Sequence, residues 1–357
     1  MNKEIAFDTA KKGAIWLSSL IQTNGRFIYG YNVKTRAKLK DYNILRHQGS
    51  IWAMLEICKE MEAKSTNAEE QLEVRIIKDK AKLALDYMLD RFMFPLGSEG
   101  RVVIAEDGYI KLGAAGLGVL ALLKYHEIQP NERYLKIAID LCRYIISRTC
   151  ESGRLTHHKC LLKNPERDKG FISEFYIGEA ALALCVMDET DNKEGFKYYA
   201  EKIINWYSFY RNMTSHVRDH WMMQTLEHFG GRYIEYANKI ARKTMWDPVS
   251  KKSGPTACRS ETLLAYHNIL EAYIEEYLKD TSRKSDGKHI AELKTDSEMV
   301  MGFVDMLLDQ QKKSQIVSGK KEDIGAFRHD KDSNNVRNDY CQHNISSFLK
   351  FYKLSRL

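Results

Sequence analysis

Gly25-Arg26-Phe27 closes a helix-like run. The same join, glycine, then Arg or Ala, then a large apolar residue, returns at Gly100-Arg101-Val102, Gly153-Arg154-Leu155 and Gly325-Ala326-Phe327. Glycine in this place can take the left-handed conformation that ends a helix, and the β-prone residues after it leave in an extended direction. In three of the four cases the chain then re-enters a helix through a polar patch: Tyr42 with Arg46-His47, Glu174 and Glu179 around Tyr176, and Asp339-Tyr340 with Gln342-His343. A join repeated in this way predicts a repeated architecture, with function at the re-entry points.

Apolar positions at 3.6-residue spacing predict about twelve helices of two alternating kinds. Long helices with one charged face are predicted over 3–22, 68–93, 130–149, 193–212, 231–245 and 287–311. Less charged helices rich in small residues are predicted over 43–62, 110–127, 173–188, 219–229, 257–279 and 339–354. The second kind includes Leu112-Gly113-Ala114-Ala115-Gly116-Leu117-Gly118, where missing side chains permit close approach on both sides. Those helices suit a crowded inner ring. The first kind, with one apolar stripe, suits an outer ring wetted on one side. The expected fold is all-α, an (α/α)6 barrel of six hairpins with short extended segments between outer and inner helices, spanning 1–357 as one domain. The competing arrangement is an open solenoid such as a tetratricopeptide-like array.

The alternating helices, the Asn24-Gly25-Arg26-Phe27 join, and the segments Leu45-Arg46-His47-Gln48-Gly49 and Asp219-His220-Trp221 resemble the six-hairpin glycosidase superfamily, which also holds polysaccharide lyases and sugar epimerases. The resemblance covers essentially the whole chain and concerns architecture. No stretch matches one member family's motif, so no catalytic residue carries over and the reaction stays open.

Composition excludes several classes. The formal charge of +7 comes from 55 basic and 48 acidic residues that are interleaved, so nucleic acid is not an expected partner. Seven cysteines, an odd number without close spacings, sit mainly in apolar runs and read as reduced core residues. Met1 to Lys12 lacks an apolar core and Ala14 to Ile21 is short and broken by two serines, so neither a signal peptide nor a membrane span is expected. These features predict a cytoplasmic protein. Without a P-loop, GxGxxG or GxSxG pattern, no cofactor is expected.

In such a barrel the segments entering the inner helices meet at one end. Five carboxylates are candidates there: Glu174, Glu179, Asp219, Glu261 and Asp339. Two can hydrolyse a glycosidic bond if one is held protonated while the other activates water. Asp219 and Asp339 are the expected pair, with Glu174 and Glu179 in reserve. Each of the aspartates has an alternative as a helix N-cap, and Glu261 has one as a helix-surface charge. Arg46, His47, His220, Arg259, Arg337 and His343 supply cations for a uronate, phosphate or other acidic sugar. Tyr42, Tyr176, Trp221 and Tyr340 offer faces on which sugar rings stack. An anionic carbohydrate is therefore the expected partner.

Cys258, Cys341 and His343 fall on adjacent inner helices, but without CxxC or HExxH spacing no metal is expected. His157-His158 with Cys160 reads as a solvated loop. Residues 278–295 and 312–323, rich in Lys, Ser, Asp and Gly, read as mobile loops and a candidate lid. Two further functions compete with hydrolysis. One is an epimerase or lyase using His47, His343 or Tyr340 as base with Arg neutralising the enediolate. The other is a non-catalytic glycan-binding scaffold in surface-polysaccharide biosynthesis.

Overall fold

The computed structural model describes residues 1–97, 101–214, 219–248, 250–279 and 287–354. These residues form twelve α-helices in strict alternation. The outer ring is α1 (Lys3–Ser19), α3 (Ala68–Phe92), α5 (Glu132–Ser147), α7 (Phe196–Thr214), α9 (Ile234–Trp246) and α11 (Gly287–Lys312). The inner ring is α2 (Ile44–Lys64), α4 (Leu112–Ile128), α6 (Tyr176–Thr190), α8 (His220–Glu227), α10 (Ser253–Lys279) and α12 (Asn338–Lys353). Each inner helix packs on the next, α2 on α4 and so on to α10 on α12, and α12 packs back on α2. That last contact closes the circle and rules out the open solenoid. The fold is an (α/α)6 barrel.

The inner ring is tight because its sequence allows it. Every residue of α4 from Leu112 to Leu123 is buried. A Cβ on Gly116 would sit 2.6 Å from the Glu179 carbonyl oxygen of α6, so only glycine permits this approach. No described helix is long and apolar enough to cross a membrane.

The glycine joins have one geometry. Gly25, Gly153 and Gly325 have φ of +87°, +93° and +94°, a region L side chains rarely adopt. A Cβ at each would strike a backbone carbonyl of the next outer helix round: Leu83 of α3, Lys202 of α7 and Lys12 of α1. The third of these joins the last outer helix to the first. Gly100 lies outside the described residues.

Some extended segments pair into sheets that periodicity alone did not reveal. β1 (Gly30–Asn32) lies antiparallel to β7 (Asn335–Arg337), with Tyr31 opposite Val336. A five-stranded antiparallel sheet runs in the order β2 (Met93–Leu96), β3 (Arg101–Glu106), β4 (Tyr109–Lys111), β5 (Lys159–Leu161) and β6 (Asn164–Asp168). Its strand pair β4–β5 joins segments on either side of α4 and α5, which is why no local pattern announced it.

Neither expected lid is loose loop throughout. Residues 287–295 belong to α11, and 280–286 lie outside the described residues. The 312–323 segment is fastened to the barrel wall: Gln315 Nε2 donates to the Thr9 carbonyl at 2.8 Å and Arg36 pairs with Asp323 at 2.6 Å.

Candidate active site in the barrel mouth

A cavity of about 860 Å³ opens where the inner helices begin. Eleven of the fifteen expected site residues line it: Arg46, Glu174, Tyr176, Glu179, His220, Trp221, Arg259, Arg337, Asp339, Tyr340 and His343. Asp219, Glu261, Tyr42 and His47 do not, and neither does the 312–323 segment.

Glu179 is the buried acid of this wall. It lies in the first turn of α6, is 5% exposed, and its Oε2 has no hydrogen-bond partner among the described residues. Burial, with repulsion from Asp219 and against attraction to His343, lifts its carboxyl to about 8. The group is therefore protonated at neutral pH and can donate.

A charged triad also lines the cavity. β7 runs straight into α12, and Asn338 N–H donates to the Tyr29 carbonyl at 3.1 Å, so the seam between β1 and β7 sets the start of that helix. Arg337 grips Asp339 with two bonds, from Nε at 2.5 Å and Nη2 at 2.8 Å. Arg46 Nε reaches the same carboxylate at 3.0 Å from α2, whose first N–H groups are capped by Asn43. Two guanidiniums and one carboxylate leave one net positive charge at the rim. Arg337 also lies 4.3 Å from the centroid of Tyr340.

The same cavity is lined by His220, at the start of α8, and His343, on α12, with ring centroids 5.0 Å apart. His343 Nδ1 is 3.1 Å from Glu261 Oε2, a carboxylate that is 1% exposed behind the wall. Burial pulls His343 down, but Cys258 and Glu261 outweigh it and hold the imidazole well above its ordinary value. His220 is held well below its ordinary value by burial and then by His343. Glu261, read from sequence as a helix-surface charge or a cavity carboxylate, is instead the buried partner of a histidine.

The remaining candidates have structural positions. Asp219 is fully buried as the N-cap of α8 and accepts from Met222 N–H at 3.0 Å, the capping alternative. His47 is buried too: a carbonyl can only accept, so Nε2–H donates to Ala84 O at 2.9 Å and Nδ1 accepts the Tyr42 hydroxyl at 2.7 Å. Burial, against that bond to Ala84, pulls His47 down to about 4, so it stays neutral. Tyr42 stacks on Phe92 rather than facing the cavity. Arg259, although in the wall, donates to the carbonyls of Thr244, Met245, Asp247 and Pro248 at the end of α9. Its guanidinium closes that helix. Trp221 lines the cavity and packs on Trp52 at 5.3 Å.

Cys341 faces the Gly13 carbonyl at 3.4 Å in the core, away from Cys258. His158 is buried rather than solvated, stacked on Tyr176 at 6.4 Å, where it positions a cavity aromatic. Sequence reasoning missed Glu106, a buried carboxylate that accepts from Ile44 N–H at 2.8 Å and pairs with Lys111, tying the sheet to the start of α2. Its only sequence signal was an acid inside an apolar strand.

No sequence-family description matches the chain, and no curated relative matches it. Solved structures do. A sugar epimerase from a ruminal bacterium superimposes with a TM-score of 0.66 at 13% identity, covering 100% of both chains. The cellobiose 2-epimerase of Bacillus thermoamylovorans gives 0.65 at 14% identity over 95% of each chain. An unsaturated glucuronyl hydrolase from a Bacillus species gives 0.64 at 12% identity over 99% of this chain and 97% of the other. At these identities the likeness is one of fold, the (α/α)6 barrel.

Proposed function

We propose that this protein is a carbohydrate-active enzyme that binds an anionic sugar in the barrel mouth and hydrolyses its glycosidic bond, with Glu179 as the general acid. The observation that carries the reading is a buried carboxyl in the cavity wall with an unpartnered oxygen. Its proton passes to the bridging oxygen as the bond from the anomeric carbon breaks, and water adds to that carbon. Asp339 takes the water's proton. A carboxylate offers about four acceptor sites, and its two arginines fill three. Arg46 and Arg337 hold the substrate's anionic group and Tyr176 and Tyr340 flank the ring. The solved structures of similar fold, two sugar epimerases and a glucuronyl hydrolase among them, support a carbohydrate substrate. A cytoplasmic setting belongs to the proposal and is supported by seven free cysteines. The experiment is turnover on uronate-bearing, phosphorylated and neutral oligosaccharides, read as new reducing ends. Wild type should cleave an anionic member, and Glu179→Gln should lose about 10²–10⁴-fold. A Glu179→Gln enzyme as fast as wild type ends this reading.

One observation favours a second reaction. The His220 and His343 imidazoles, in edge-to-face contact at 5.0 Å with Glu261 behind His343, suit removal of a proton from a sugar carbon and its return through the pair. Reaction in deuterated water separates the two, since epimerisation labels the carbon and hydrolysis does not.

A further inference from the structure

His220 comes from the first turn of α8, Cys258 and Glu261 from one face of α10 at i and i+3, and His343 from α12. One donor atom of each lies within 4.8 Å of all the others. We propose that these four side chains bind a zinc ion in the wall of the cavity.

The donor chemistry selects the metal. Two imidazole nitrogens, one thiolate and one carboxylate oxygen are the mixed N, S and O set that zinc takes in tetrahedral sites, whereas magnesium and calcium take oxygen alone. Around tetrahedral zinc, donors at about 2.0–2.3 Å stand roughly 3.3–3.7 Å apart. The cluster therefore has to contract by about an ångström, within reach of side-chain adjustment.

The charge balances too. When the ion binds, His343 and the Cys258 thiol release their protons, and the two negative charges of thiolate and carboxylate then cancel a divalent ion in a place where unpaired charge is costly. A second observation points at a ligand. His220 is 5% exposed, and its Nε2 has no hydrogen-bond partner among the described residues. Buried ring nitrogens are nearly always engaged, and an imidazole of this donor cluster with an unengaged ring nitrogen has capacity that a metal ion would take up.

This site goes beyond hydrolysis by Glu179 and is compatible with it. It is incompatible with the two-histidine reaction, because an ion on both imidazoles leaves neither free to carry a proton. Cys258, His220 and His343 reach the cavity, so the ion would border the space a substrate occupies.

The test measures metal, not turnover. The full chain is loaded with zinc chloride, dialysed, and its zinc determined by mass spectrometry. About one zinc per chain is expected to survive, with Cys258→Ser and His220→Ala each binding at least about tenfold more weakly. Cys341→Ser should keep its zinc, and circular dichroism of each variant checks the fold. Cobalt in place of zinc should give a thiolate-to-metal charge-transfer band that Cys258→Ser abolishes, a readout independent of stability. Wild-type protein without zinc after dialysis overturns the proposal, as does zinc that persists unchanged in both cluster variants, or cobalt without that band. Those failures would leave the role of Glu179 untouched, just as an active Glu179→Gln enzyme would leave the zinc result standing.

Discussion

Gly113 and Glu179 face each other across the contact between α4 and α6, so closely that a methyl group on Gly113 would overlap Glu179 Oε2. The acid's place in the wall thus depends on a side chain that is missing. Gly113→Ala is expected to push the carboxyl aside and slow turnover by about tenfold or more, with a stability loss of about 1–3 kcal/mol. Gly116→Ala meets backbone instead, at the Glu179 carbonyl, and should cost more stability because two helices must part. Thermal melts and kcat for both variants check this, and an unimpaired Gly113→Ala enzyme would contradict it.

The proton on Glu179 links stability to pH. Folded, the carboxyl keeps its proton up to about 8; unfolded, it releases it near the usual ~4.3. Between these values the native state binds more protons than the unfolded chain, so this group's contribution is whole at low pH and declines as pH rises. The slope is at most about 1.4 kcal/mol per pH unit. Glu179→Gln lacks the slope and should gain on wild type between about pH 5 and about pH 8.5, as read by denaturant unfolding at both.

Asp219 separates capping from catalysis. Asparagine caps a helix about as well as aspartate, whereas alanine costs about 0.5–2 kcal/mol. Asp219→Asn should therefore keep turnover within a few-fold and Asp219→Ala should lower the melting temperature. A dead, well-folded Asp219→Asn enzyme would return this residue to the chemistry.

Arg46 and Asp339 should split kinetically. Arg46→Gln removes one charge from a partly open rim and should raise KM for an anionic sugar roughly tenfold, about 1.4 kcal/mol, while sparing kcat and neutral sugars. Asp339→Asn should lower kcat instead, because the base and the geometry of both arginines go together.

Much of the ring was legible because helix alternation is written locally. All twelve predicted helices occur, most within about three residues at each end, since apolar stripes and glycine stops are short-range signals. The site was legible as a place more than as a set of roles. The re-entry segments of α2, α6, α8 and α12 do meet at one cavity. Whether an acid such as Asp219 faces that cavity or caps its own helix is decided by one turn of rotation, which periodicity does not resolve. Nor could spacing show that Glu261 backs His343, or that His47 turns outward to Ala84, because those partners come from other hairpins.

Gly325 against Lys12, and α12 against α2, make the last hairpin a neighbour of the first. Linear arrays of helical pairs melt from their ends, where the terminal unit has one neighbour instead of two. Here every hairpin has two, so there is nowhere for fraying to begin. Denaturation should be one sharp transition, with probes on α4 and on α12 losing signal together. A bulky residue at position 325 would act as a cut in the hoop, giving the molecule the ends it otherwise lacks and spreading that transition into stages.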